Sequence, residues 1–393
     1  MGNTIYLDHN ATTPTDSRVV EAMQPYLSEM YGNPSSVYRI ARDAREGVEE
    51  AREKVAYLLN ASPGEIVFTS GGSEAANLAI KGVAHALRDK GNHIITSKIE
   101  HHAVLVPCEF LEKSGFNVSY VSVSPHGVVD LSELADVIVN ARSSTNRTIL
   151  VSIMHANNEV GTIQPIEDIA RIARENGVYF HTDAVQTVGK IAVNVEELGV
   201  DLLSLSGHKF YGPKGVGALY IRRGTRISSL IHGGHHENGR RAGTENVPGI
   251  VGLGKACEIA ASEMTEENRR VKTLRDRLQR GITERIEAIA VLGHPEQRLS
   301  GTLAICVKWV EGESMLLLLD AEDIAASSGS ACTSGSLEPS HVLTAMGLPP
   351  ETAHGSIRFS LGRDNTEKQI DKVLDVLPSI VNKLRIMSPF GGQ

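Results

Sequence analysis

Cysteine is scarce in this chain: Cys108, Cys257, Cys306 and Cys332 stand far apart, with no C-x-x-C pair among them. Such usage fits reduced thiols in a cytoplasmic protein. Long apolar runs are missing as well, none approaching the roughly 20 residues that a membrane span needs. The opening MGNTIYLDHNATTP lacks a basic stretch followed by an apolar one, so no secretory signal is expected. Its sixth residue is Tyr6 rather than Ser or Thr, which argues against myristoylation. Positive charge is not in excess either. A net charge of −8 disfavours a nucleic-acid-binding surface. Internal repeats and long low-complexity tracts are also absent. What remains is an ordinary globular composition, 41% apolar and 22% charged, over 393 residues, long enough for two or three domains.

Short β-branched runs alternate with helical patterns through the middle of the chain. EIVFTS (65–70), HIITS (93–97), VSYVSV (118–123), TILVSIMH (148–155), YFHTDA (179–184), LLSLS (202–206) and GALYIR (217–222) read as strands. Helices such as IEDIARIARENG, closed by Gly177, lie between several of them. This alternation predicts an α/β fold with a mainly parallel sheet covered on both faces, and binding residues at the strand carboxyl ends. After about residue 264 the texture changes. The amphipathic NRRVKTLRDRLQRGITERI, the strand-like TLAICVKWV and GSIRFSLG, and a closing helix TEKQIDKVLDVLPSIVNKLR suggest a smaller α+β domain. The expected division is a large domain over 16–264 and a small one built from 1–15 and 265–393.

The strongest local chemistry is in SLSGHKFYGPKGVG, residues 204–217, where Ser206 and His208 precede Lys209 and a glycine-rich turn follows a strand. A lysine becomes a catalytic amine when its neighbours supply the neutral form. Hydroxyl, imidazole and backbone N–H groups beside it suit a phosphate. Together they suggest pyridoxal phosphate, although a loop with a solvated lysine reads equally well from this stretch alone. TSGGSEAAN (69–77) adds a strand, a glycine turn and a helix start able to hold a phosphate. In HTDAVQ, Asp183 closes a predicted strand, where a carboxylate could pair with the pyridine nitrogen. Near the C-terminus, AASSGSACTSGSLEPSHVL sets Cys332 among Ser, Gly, Ala and Thr, a loop-forming composition.

With these stretches stand YLDHNATTP, GNPSS, EHHAVL, HANNEVGTIQPI, HTDAVQTVGK, RRAGTENVPGIVGLGKA and RFSLGR, in order and over nearly the whole length. In this combination the chain resembles the cysteine desulfurases of the NifS/IscS type, within the fold-type I pyridoxal-phosphate enzymes. RRAGTENVPGIVG and ACTSGSLEPSHVL are similar to the nitrogen-fixation-type members. The resemblance implies a seven-stranded, mainly parallel sheet in the large domain. It also implies removal of sulfur from L-cysteine, giving L-alanine and a persulfide on Cys332, in supply of iron–sulfur cluster assembly.

By the same resemblance Lys209 carries the cofactor and moves protons at the substrate α-carbon, while His101 stacks on the ring and serves as acid or base. Asp183 pairs with the ring nitrogen and Gln186 with the phenolic oxygen. Asn157 holds that oxygen or the substrate carboxylate. Gly72, Ser73, Ser206 and His208 surround the phosphate, with Thr244 reaching in from a second subunit of a homodimer. Arg358 clamps the substrate carboxylate, with Asn33 beside it. The implied partners are L-cysteine and an iron–sulfur scaffold protein as sulfur acceptor, with no nucleic acid and no membrane. No intrinsic metal is expected, although Cys332 could transiently ligate a nascent cluster. The adjacent pairs His101–His102 and His235–His236 are poorly spaced to converge on one ion. Tyr38 stands where the family commonly has His, and Ser73 where it has Thr. Selenocysteine lyase and aminotransferase chemistry are the alternatives on this fold.

Overall fold

The computed structural model describes residues 4–141, 147–328 and 339–388. Its first strand, β1 (Ile5–Tyr6), pairs in parallel with a segment more than three hundred residues later. Seven strands then form the main sheet: β2 (Ile66–Thr69), β3 (His93–Ser97), β4 (Asn117–Val121), β5 (Thr148–Ser152), β6 (Tyr179–Asp183), β7 (Leu202–Ser206) and β8 (Gly217–Ile221), in the order β2-β8-β7-β6-β5-β3-β4. The β4–β3, β3–β5, β5–β6 and β6–β7 pairings are parallel, and β8 runs antiparallel to both β7 and β2. Each strand expected from the β-branched runs is present within a few residues. TILVSIMH is strand only as far as Ser152.

The sheet is buried on both faces because side chains alternate along a strand while both sides are apolar. Ile95, Val151 and Leu203 enter one core, and their neighbours Ile94, Leu150 and Leu202 enter another on the opposite face. A further core surrounds the antiparallel sheet of β9 (Ile289–Leu292), β10 (Thr302–Val307) and β12 (Ser356–Ser360), with β11 (Ile324–Ala325) as the partner of β1.

One 39-residue helix, Val247–Arg285, joins the two regions. At about 1.5 Å per residue it extends for roughly 58 Å. Ile250, Leu253 and Cys257 lie in the large-sheet core, whereas Val271, Leu274 and Leu278 lie in the small-sheet core. The helix runs unbroken through position 264, where the sequence texture changes. No helix among the described residues is long and apolar enough to cross a membrane.

Candidate active site

The carboxyl ends of the parallel strands open onto a cavity of about 330 Å³. Asp183 is the last residue of β6 and Ser206 the last of β7, so the strand register alone brings both to its floor. Beyond Ser206 the chain tightens into a single 3₁₀ turn, Gly207–Lys209, which sets Lys209 in the cavity wall. Its Nζ donates to the backbone carbonyls of Asn10, at 2.7 Å, and Ala11, at 2.8 Å. Those carbonyls come from the segment just after β1.

The helix Gly72–Ala86 points its N-terminus at the same space. Its N-cap, Gly71, makes no side-chain cap, so the first-turn amides are left for another acceptor. Glycine is required at Gly71, where φ is +152°, and at Gly72, where a Cβ would strike Val185 Cγ2 at 2.6 Å. Gly217 allows the approach from the sheet side, since a Cβ there would lie 2.8 Å from the Gly71 backbone. With Ser73, Ser206 and His208 also in the wall, this end is suited to an anion.

The Asp183 carboxylate marks a second pole. Burial pushes its pKa up to about 6, opposed by a hydrogen bond from Val185 N–H at 3.0 Å and by the Lys209 charge. Behind it a polar ladder crosses three strands. His181 bonds Ser152 Oγ through Nδ1 and Ser204 Oγ through Nε2, both at 2.8 Å. Burial pushes His181 down to about 3, so the ladder is neutral at physiological pH.

His101 caps the helix His102–Lys113, its Nδ1 accepting from Ala103 N–H at 3.0 Å. Burial, and then the Lys209 charge, push its pKa down to about 4. The ring is therefore neutral, and with Nδ1 accepting, its proton resides on Nε2. Arg358, on β12, donates to Asp8 Oδ1 at 2.6 Å and to Asn158 O at 2.9 Å, while its Nε is buried without a hydrogen-bond acceptor. A planar guanidinium at a cavity wall is suited to a carboxylate.

Gly72, Ser73, His101, Asp183, Gln186, Ser206, His208, Lys209 and Arg358 thus line one cavity. Asn157 is not among the residues that line it. Its side chain is fully buried and turned inward, accepting from the amides of Glu159 and Val160 at 2.8 and 3.0 Å and donating to Ile99 O at 3.0 Å. The neighbouring Asn158 lines the cavity instead. An asparagine doublet does not reveal which member faces a ligand, because the turn around it decides.

Asn33 and Thr244 are exposed and do not line the cavity of their own chain. Tyr38 is also exposed. Cys332 lies outside the described residues. The other three cysteines are buried, and burial raises the pKa of each, to about 12 for Cys108 and Cys306. Asn10 and Ala11 were not singled out within YLDHNATTP, because a carbonyl that receives a lysine has no side-chain signature.

Aminotransferase class-V is the family whose pattern matches residues 5–373, and the chain belongs to that family. Full-length relatives narrow the group. The chain is 56% identical over 390 residues to the cysteine desulfurase IscS of Dictyoglomus turgidum, covering 99% of this chain and 98% of the relative. It is 57% identical over 385 residues to the cysteine desulfurase IscS of Methanosarcina thermophila, covering 98% and 94%. These identities put it in the cysteine desulfurase branch. Among solved structures, a NifS-like protein superposes with a TM-score of 0.90 at 43% identity, covering 97% of this chain and all of that one. SspA in complex with cysteine gives 0.80 at 39% identity, covering 92% and 100%.

Proposed function

We propose that this cavity desulfurates L-cysteine, with Lys209, Arg358 and His101 acting on the amino acid and Cys332 receiving its sulfur. The observation that carries the reading is convergence: a lysine amine, an uncapped helix N-terminus and a buried carboxylate share one cavity wall with an arginine. The donor set fits pyridoxal phosphate. The Gly72–Ser73 amides with Ser206 and His208 would hold its phosphate, Asp183 its ring nitrogen, and Gln186 with Asn158 its phenolic oxygen. When bound, that cofactor supplies an electron sink for carbon atoms next to an amino group.

The protein's own groups do the rest. Arg358 binds the substrate carboxylate and so points the α-hydrogen at one face. Lys209 Nζ takes that proton and later returns one. His101, with its proton on Nε2, donates a hydrogen bond to the bound species rather than acting as the base. Cys332 thiolate then attacks the substrate sulfur. An S–S bond forms, the Cβ–S bond breaks with its electron pair kept by carbon, and a proton at Cβ completes alanine. Cysteine and one thiol thus become alanine and one persulfide, with no external oxidant.

The reading extends to a homodimer that brings Asn33 and Thr244 to an interface between two copies. It also extends to a large domain and a small domain meeting at the cavity, to a cytoplasmic setting, and to an iron–sulfur scaffold protein as acceptor. Support for cysteine as substrate comes from the desulfurase relatives and from the neighbour whose structure holds cysteine. The test is alanine release from L-cysteine by protein loaded with pyridoxal phosphate, beside Cys332→Ala. Alanine from the wild type alone is expected. Equal alanine from both would refute the role of Cys332, and alanine from neither would refute the substrate.

A further inference from the structure

A second lysine reaches the site from behind. Lys190 follows β6 by seven positions. The residue is half-buried, yet its ammonium lies among buried groups, donating to Gln186 Oε1 at 2.9 Å and to Asn10 Oδ1 at 3.2 Å. Both contacts remove an ambiguity. An ammonium has only donors, so the amide atom facing it must be oxygen. Gln186 is held from its other end too, because Nε2 donates to Asn10 O at 2.9 Å and a carbonyl only accepts. Asn10 is fixed in the same manner, its Nδ2 donating to Asn158 O at 3.1 Å and Thr302 Oγ1 at 2.9 Å. The Asn10 carbonyl that receives Gln186 also receives Lys209. One cation therefore sets two amides, and both lead to the lysine and asparagine of the cavity.

We propose that Lys190 is a positioning residue for the active site: it holds the Gln186 amide with its N–H side toward the cavity, and it brings a second positive charge behind Lys209. The Gln186 NH₂ has two hydrogens and Asn10 O takes one, which leaves the other for an anionic oxygen in the cavity that Gln186 lines. Without Lys190 the orientation rests on the Asn10 carbonyl alone, and a flip would present a carbonyl to that oxygen.

The charges around Lys190 are cationic on balance. Lys209 and Arg358 oppose its protonation and Glu267, from the long helix, favours it. His9 and His208, which also feel this region, are both pushed down to about 4 and stay neutral. Burial, reinforced by the two cations, lowers the Lys190 pKa to about 7. The contact is thus strongest on the acid side of neutrality.

This inference rests on the reading of the cavity as a pyridoxal-phosphate site, and its test separates the two. The visible absorption band of the cofactor-loaded protein is titrated from the acid side of neutrality into the alkaline range, for wild type, Lys190→Met, Lys190→Gln and Lys190→Arg. Cofactor dissociation is measured in parallel. Removing a cation and a hydrogen bond to the anionic oxygen both favour the protonated form of the linkage at Lys209. The Met and Gln variants should therefore titrate higher by on the order of half to one pH unit. They should also release cofactor more readily, and the Arg variant should recover most of the wild-type behaviour. If Met does not fold, the Gln and Arg pair decides the same question. Identical titration in wild type, Gln and Arg proteins of equal melting temperature would overturn the proposal. A band in the wild type that Lys209→Ala abolishes keeps the site reading standing in that event. No band in the wild type would remove both.

Discussion

The two adjacent asparagines offer a sharp test because the structure assigns them opposite duties. Asn157 makes three hydrogen bonds to backbone groups, with Glu159 N–H, Val160 N–H and Ile99 C=O, from a fully buried position. Asn157→Ala deletes all three. At about 1 kcal/mol for each bond lost, the change costs on the order of 3 kcal/mol. For a protein of this size that corresponds to a melting temperature lower by roughly 3–4 °C. Asn158→Ala removes a half-buried side chain from the cavity wall and should leave the melting temperature within a degree or two. Its effect belongs on turnover, where loss of a hydrogen bond to a charged group lowers kcat/KM about tenfold or more. Differential scanning fluorimetry of the two variants, with alanine release measured below both transitions, gives the pair of numbers. A stable but inactive Asn157→Ala beside a fully active Asn158→Ala would refute the assignment.

Two other outcomes follow from buried ionisable groups near the site. Burial raises the Glu100 carboxyl to about 8, so the folded protein keeps a proton there that the unfolded chain releases near its ordinary value of 4.5. Stability then falls as pH rises between those values, by at most about 1.4 kcal/mol per pH unit for one such group. Glu100→Gln, which keeps an acceptor for Ser97 O–H and Met154 N–H, should flatten that slope in cofactor-free protein followed by urea unfolding; an unchanged slope would count against a buried, protonated Glu100. Arg358→Lys keeps a cation opposite Asp8 but loses the planar fork, so the protein should fold normally while KM for cysteine rises about tenfold; an unaltered KM would take Arg358 out of substrate binding.

Much of the large sheet was legible because each strand is a short β-branched run bounded by turn residues, and a sheet buried on both faces demands such runs. The site was legible where a side chain acts through its own chemistry, as with Lys209, Asp183 and Arg358. It was not legible where geometry chooses between chemical equals. Asn157 and Asn158 differ only in which way a turn rotates them. Asn10 contributes a carbonyl as well as an amide, and Lys190 resembles any surface lysine until its ammonium is found between two amide oxygens. The unbroken helix through position 264 was hidden for a different reason. Its two halves serve different cores, so their apolar patterns change even though the backbone does not.

The pairing of β1 with β11 matches Ile5 to Ile324, and Asp8 meets Arg358 a few residues further on. Lys209 rests its amine on carbonyls at Asn10 and Ala11, and Asn10 N–H is in turn held by Ser360 Oγ. During synthesis β1 and Asp8 must therefore wait for these partners until the ribosome has delivered nearly the entire chain. A nascent polypeptide ending before β12 has made its lysine and its phosphate cradle, but not the strand that locks the N-terminal segment over them. Closures of such long sequence separation come late in folding. The reactive centre is thus assembled last, after the large sheet that supports it.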